Sequence, residues 1–333
     1  MELIFIYGRK VMEYVFLFSG QGSQFKGMAE DICKEYPAAR AIIDEMSAAS
    51  GEDIASFLWN TEPAELARSD RSQLAITAMQ VAITAVLREH GIMPTAAAGF
   101  SLGEFSALYA AKVFDLATMT KLVTLRGKIM QKYCEKLDAQ NKAGGSECGM
   151  AAVLKVAPEK VVEVLKPYAD PDTGIVFAAN LNSPMQTVVS GTAEGLDTAE
   201  KLCKEAGAKR FIRLAVAGPF HSPLMRGAAE EFSAALRDIP FNDPVIPIFS
   251  NVTGKRLLIG AEAKKNAVLH LTHPVRWLEE EREIASLIGT AERPLLEIGP
   301  GMTLCNLWRD SGCAGNCRPT GTAEQLTGVI RGE

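Results

Sequence analysis

Over residues 73–90 the apolar side chains Leu74, Ala78, Met79, Ala82, Ile83, Val86 and Leu87 recur at the spacing of one helix face. Gly91 stands where a left-handed cap ends such a helix. A different pattern opens the chain. Residues 14–19 (YVFLFS) form a short, continuous apolar run ending at Gly20, which predicts a buried strand and a tight turn. The segment PTAAAGFSLGEFSALYAA predicts a strand of small residues that turns between Gly99 and Gly103 into a helix, with Ser101 at the bend. Further on, residues 223–237 predict a helix, VIPIFS a strand, and PLLEI a strand that ends at GPGMT before another helix.

The pattern changes over residues 149–217. MAAVLKV reads as strand, PEKVVEVLKPYA as helix, GIVFAANL and QTVVSG as strands, TAEGLDTAEKLCKEAGA as helix and KRFIRLAV as strand. That βαββαβ order predicts a small ferredoxin-like α+β domain, and the preceding NKAGGSECG has linker composition. The expected fold class is α/β: a large α/β-hydrolase-like domain with a central, mostly parallel sheet, formed by residues 12–147 and 218–333, with the small domain inserted at 148–217. Residues 1–11 precede a second methionine, Met12, and read as an extension from an upstream start. The large domain offers the strand, glycine-turn, helix units FLFSGQGSQ, AAAGFSLGE and LLEIGPGMT. In an open α/β sheet such turns converge beyond the carboxyl ends of the strands and build a ligand site.

Composition narrows the function. The 35 basic and 40 acidic residues leave a formal charge of −5, without the basic excess that nucleic-acid binding needs. Seven scattered cysteines, odd in number, argue against a disulfide framework and for a reducing cytoplasm. Cys313 and Cys317 read as loose tail thiols rather than metal ligands, having no His or acidic cluster nearby. No apolar run approaches the roughly 20 residues that span a bilayer, and MELIFIYGRK is too short and too acidic at its start for a signal sequence.

The chemistry centres on Gly99, Ser101 and Gly103, a G-x-S-x-G pattern in the strand-to-helix setting of a nucleophile elbow. The bend lifts the hydroxyl off the sheet, while the helix beginning there directs free N–H groups and a positive dipole at the reacting carbonyl. The Leu102 amide is the natural first donor to an oxyanion. A serine hydroxyl needs a base, usually His, and the chain has four: His90, His221, His270 and His273. His90 ends an amphipathic helix, where a solvated imidazole is the ordinary outcome. His221, in GPFHSPLM, lies where the small domain returns to the large one, a cleft position.

Taken together, FSGQGSQ, GFSLGE, TLRGKIMQ, ANLNSP, GPFHSPLM, FSNVTG, HPVRW and EIGPGMTL make the chain similar to the malonyl-CoA:acyl carrier protein transacylases, relatives of the acyltransferase domains of fatty acid and polyketide synthases. The resemblance spans nearly the whole chain. It implies that Ser101 is acylated, that His221 is its base, and that the Gln21 and Leu102 amides form the oxyanion hole. It implies that Arg126 grips the free malonyl carboxylate, which suits the planar fork of guanidinium. It places Asn182 in the acyl pocket, although turn chemistry explains an Asn in an N-S-P turn equally well. The base would be oriented by the backbone carbonyl of His270, where relatives often have Gln; a carbonyl contribution is largely independent of side-chain type. Phe100 replaces the usual His before the nucleophile and makes the site more apolar. Phe220 resembles the bulky ring of malonyl-selective members, which crowds an α-methyl group. A pocket lined by Phe100 and Phe220 would help exclude water.

The implied reaction is ping-pong transfer of malonyl from coenzyme A to the phosphopantetheine thiol of acyl carrier protein, with no metal or redox cofactor, by a cytoplasmic monomer that binds neither nucleic acid nor membrane. Lys201, Lys204, Lys209, Arg210, Arg213, Lys128 and Lys132 could supply a basic dock for an acidic carrier, or be ordinary solvated charges. The alternatives are a malonyl loader for a polyketide assembly line, a malonate decarboxylase subunit, a serine thioesterase or esterase with the same elbow, and a catalytically idle interaction module.

Overall fold

The computed structural model describes residues 5–6, 9–10, 12–141, 148–216, 218–289 and 294–333. Strands β1 (Phe5–Ile6) and β2 (Arg9–Lys10) pair antiparallel ahead of β3 (Met12–Phe18). Helices α1 (Glu30–Glu35), α2 (Pro37–Ser50), α3 (Ile54–Trp59), α4 (Pro63–Leu66) and α5 (Ser69–Glu89) follow. Next come β4 (Ile92–Gly99), α6 (Gly103–Ala110) and α7 (Leu116–Asn141). The inserted unit holds β5 (Gly149–Leu154), α8 (Pro158–Leu165), β6 (Val176–Ser183), β7 (Gln186–Gly191), α9 (Ala193–Glu205) and β8 (Arg210–Arg213). The chain then continues with α10 (Arg226–Leu236), β9 (Ile248–Phe249), β10 (Arg256–Leu257), α11 (Gly260–Leu269), α12 (Trp277–Ile288), β11 (Leu295–Ile298), α13 (Thr303–Ser311), β12 (Cys317–Pro319) and α14 (Ala323–Arg331). Residues 142–147, which carry most of the linker reading, and most of residues 1–11 lie outside the described residues.

The central sheet runs β10-β9-β4-β3-β11-β12 and is parallel except for β10. Its middle strand β3 is buried on both faces, which is why it reads as an unbroken apolar run rather than an alternation. Tyr14, Phe16 and Phe18 join the core beneath α5 and α6, whereas Val15 and Leu17 pack with Ala96, Trp277 and Trp308 on the other face. The three glycine-bearing turns leave β3, β4 and β11, which are neighbours in the sheet, so they do converge at one end.

The second sheet, β6-β7-β5-β8, is antiparallel throughout, with α8 and α9 closing a core of Val153, Val161, Val189 and Leu196. Its edge strand β6 is hydrogen-bonded through main chain to the segment that precedes α12. Leu181 N–H donates to the Val275 carbonyl at 2.8 Å, and Val275 N–H to the Ala179 carbonyl at 2.8 Å.

Some boundaries differ from expectation for identifiable reasons. Helix α5 begins at Ser69, four residues before the apolar stripe, because its first turn is tied to another helix: the Ser69 N–H donates to Gln131 Oε1 of α7 at 2.9 Å. The predicted strand VIPIFS contracts to Ile248–Phe249, since Pro247 has no N–H for a ladder. Cys317 is not a loose tail thiol; it lies in β12, with Sγ 3.3 Å from Cys305 Sγ. Among the described residues no helix is long and apolar enough to cross a membrane.

Candidate active site

Strand β4 ends at Gly99, and within two residues the chain has turned so that Ser101 sits at φ 51°, in the left-handed region. A non-glycine residue held there costs on the order of 1 kcal/mol, and such strain persists only where the surroundings over-determine it. The turn is tight enough to need both glycines: a Cβ on Gly99 would strike the Gly103 backbone, and one on Gly103 would strike the carbonyl of Phe18. The Ser101 N–H donates to Asn251 Oδ1 at 2.7 Å. The Leu102 N–H makes no hydrogen bond with the described residues, nor does that of Gln21 in the turn after β3.

His221 is also left-handed, at φ 56°. Its Nδ1 lies 2.8 Å from the His270 carbonyl, which can only accept, so the proton sits on Nδ1 and Nε2 is the free lone pair. That Nε2 lies 2.8 Å from Ser101 Oγ. Burial, helped by the positive field of Arg126 and opposed by the His270 carbonyl, pushes the imidazole down to about 4. It is therefore neutral at physiological pH and ready to take a proton. The His270 ring lies 4.9 Å from that of His221, is fully buried with neither nitrogen partnered, and burial drives it well below the ordinary histidine range. It stays neutral too.

These groups open on a cavity of about 320 Å³, lined among others by Gln21, Ser101, Arg126, Asn182, Phe220 and His221. Arg126, 1% exposed on α7, donates from Nη1 to Gln73 Oε1 at 2.8 Å, while its Nε and Nη2 have no partner. Burial lowers it to about 10 against the favourable field of Glu104, so the guanidinium remains charged. Glu104, buried behind it, is itself pushed up to about 7 by desolvation. A buried cation with two unused donors, lining the same cavity as the Ser101 hydroxyl, is set for an anionic ligand.

Asn182 also lines the cavity, and its Oδ1 is buried without a partner. The turn beyond it is served by Ser183, whose Oγ accepts from the Met185 N–H at 3.4 Å, so turn chemistry does not account for Asn182. Phe100 lines the cavity and packs edge-on against Trp277, ring centroids 5.4 Å apart.

Sequence reasoning did not single out Gln73, Glu104, Asn251 or Glu280. Glu104 and Asn251 stood inside the segments GFSLGE and FSNVTG, and Gln73 on the polar margin of an otherwise apolar helix. Among the described residues no three His, Cys, Asp or Glu side chains gather as a metal site. Of the basic side chains considered as a dock, Lys128, Lys132, Lys204 and Arg213 pair with Glu52, Glu231, Glu200 and Asp197.

Known proteins resemble the chain over most of its length. The acyl transferase domain family matches residues 15–311. The malonyl CoA-acyl carrier protein transacylase of Bacillus subtilis (strain 168) is 37% identical over 293 residues, 88% of each chain. That of Escherichia coli (strain K12) is 34% identical over 296 residues, 89% of this chain and 91% of the other. Among solved structures, a malonyl-transacylase in complex with a type II PKS acyl-carrier protein superposes with TM-score 0.88 at 32% identity, covering 96% of this chain and 100% of that one. An acyl carrier protein S-malonyltransferase from Vibrio cholerae gives TM-score 0.85 at 32% identity, covering 95% and 99%. With a hydrogen-bonded Ser–His pair and a buried arginine that has two open donors in one cavity, this acyltransferase belongs to the malonyl CoA-acyl carrier protein transacylases of the acyl transferase domain family.

Proposed function

We propose that Ser101 and His221 carry malonyl from coenzyme A to acyl carrier protein by way of a malonyl ester on Ser101. His221 Nε2 takes the hydroxyl proton as Oγ attacks the thioester carbonyl, and the Gln21 and Leu102 amides receive the oxyanion. The same imidazole, now protonated, gives its proton to the departing thiolate of coenzyme A. In the second half-reaction it removes the proton from the phosphopantetheine thiol, and the steps run in reverse order. No metal or redox cofactor takes part in this scheme.

The observation that carries the reading is Arg126. A thioesterase or esterase acting on simple acyl groups has no use for a buried guanidinium with two open donors, whereas malonyl brings the carboxylate that fills them. Phe220, buried on the cavity wall beside the base, disfavours an α-methyl group, by about 1 to 3 kcal/mol for a single contact. Phe100 and Phe220 keep the ester in apolar surroundings, which favours thiol over water as acceptor. On this reading the β6-β7-β5-β8 unit is a ferredoxin-like domain inserted into a hydrolase-like one, and the protein works as a cytoplasmic monomer.

Intact-mass analysis after mixing with malonyl-CoA tests the reading. The wild type should gain one malonyl group and lose it on addition of phosphopantetheinylated carrier protein; Ser101→Ala should gain none. A wild type that releases free malonate at the same rate with and without carrier would make it a hydrolase instead.

A further inference from the structure

We infer that Asn251 is a positioning residue for the nucleophile, a role that rests on Ser101 being the acylated group proposed above. Asn251 follows β9 and is fully buried. Its side chain bridges the nucleophile turn from outside the cavity: Oδ1 accepts from the Ser101 N–H at 2.7 Å, and Nδ2 donates to the Gly99 carbonyl at 2.7 Å. The orientation of the amide is fixed by chemistry, because the first partner can only donate and the second can only accept.

Asn251 is itself pinned at every remaining polar group. Nδ2 also donates to Glu280 Oε1 at 2.8 Å, the backbone N–H donates to Glu104 Oε2 at 2.9 Å, and the carbonyl accepts from the Arg276 N–H at 2.9 Å. One primary amide thus spans the turn that holds Ser101 at positive φ, and helices α6 and α12 hold the amide. This supplies the over-determination that a strained serine requires. It also commits the Ser101 N–H to Asn251, which leaves the oxyanion to the Leu102 and Gln21 amides.

No smaller or charged side chain fits this place equally well. Alanine takes this partner away from the Ser101 N–H and from the buried Gly99 carbonyl. Aspartate has the right shape but donates to Gly99 only when protonated, and the charged groups facing it are Glu104 from α6 and Glu280 from α12, with Glu281 beyond Glu280 and Arg126 of α7 acting on Glu104. Both near carboxyls are raised by burial, Glu104 to about 7 and Glu280 well above the ordinary carboxylate range.

The test follows Ser101 with two probes: malonyl-CoA, and phenylmethanesulfonyl fluoride, which reports serine reactivity without any malonyl recognition. Asn251→Ala should lower kcat of acylation and the rate of sulfonylation together, by about a hundredfold for a displacement near 1 Å, with KM for malonyl-CoA unchanged. Asn251→Asp, of the same shape and spared the risk of a cavity, should lose both rates as pH rises from about 6 to about 8 while the wild type stays flat. Wild-type rates in a folded Asn251→Ala protein, or an Asn251→Asp profile parallel to that of the wild type at an undiminished rate, would overturn the role. A loss in KM alone would do so as well. If the wild type is sulfonylated yet takes no malonyl, the proposed reaction fails while the sulfonylation rates still decide Asn251.

Discussion

Ser101 and His221, 120 positions apart in the sequence, meet at 2.8 Å with both backbones in the left-handed region. Neither residue is where its own conformational preference would put it. Each is held by a hydrogen bond from a distant loop, Ser101 through its N–H by Asn251 and His221 through its ring by the His270 carbonyl. The Ser–His pair is therefore assembled by the fold and not by local sequence.

Strain at the nucleophile has a measurable signature. Ser101→Gly removes the Cβ at a positive φ, so it should be more stable than Ser101→Ala by about 1 kcal/mol, although both should be inactive. Parallel denaturant titrations of the two variants check this; equal midpoints would mean that the turn stores no strain.

Because the base must be neutral to act and its pKa is depressed to about 4, kcat/KM for acylation should rise through about pH 4 and be flat at higher pH. An ordinary histidine would place that limb near 6.5 (about the free value). Malonyl bound on Arg126 offsets part of the positive field at His221, so the limb in kcat should lie above the limb in kcat/KM. A kcat/KM profile still rising at neutral pH would contradict the assignment.

Arg126→Ala should abolish the preference for malonyl-CoA over acetyl-CoA. The loss of a charge-assisted contact of about 1.5 to 3 kcal/mol corresponds to about ten- to a hundredfold in the ratio. Gln73→Leu frees the one guanidinium nitrogen that is fixed, and should raise KM for malonyl-CoA while sparing acetyl-CoA. Competition between the two thioesters, read by intact mass, measures both effects; an Arg126→Ala enzyme that still selects malonyl sinks the clamp.

At Gly99 and Gly103 the obstacle to a side chain is backbone, which has nowhere to move. Gly103→Ala should therefore reduce both the melting temperature and Ser101 acylation, whereas Gly51→Ala, at the end of α2 with open space and positive φ, should affect stability alone. An active, fully stable Gly103→Ala protein would show that the elbow and β3 are less closely packed than described.

What the sequence made legible follows from how local each signal is. The β3 run, the α5 stripe and the glycine elbow announce themselves within a few residues, and the βαββαβ order follows from alternating periodicities. The start of α5 depends on Gln131, more than sixty positions away, and no window over residues 69–73 contains that information. Asn251 and Gln73 act only through residues brought to them by folding, so each reads in isolation as an unremarkable amide. His270 was identified for its carbonyl; its buried, unpartnered ring has no counterpart in any sequence pattern.

The main-chain link between β6 and Val275 bears on protein engineering. Residues 270–277 carry the carbonyl that aims the base, the hydrogen bonds that extend the small sheet, and Trp277 beneath Phe100. A chimera made by exchanging only residues 148–217 with a relative, in order to change the acyl group carried, would separate a wall of the pocket from the segment that registers it against the base. Crossover points for such grafts belong outside both segments, so that residues 270–277 travel with the donor domain.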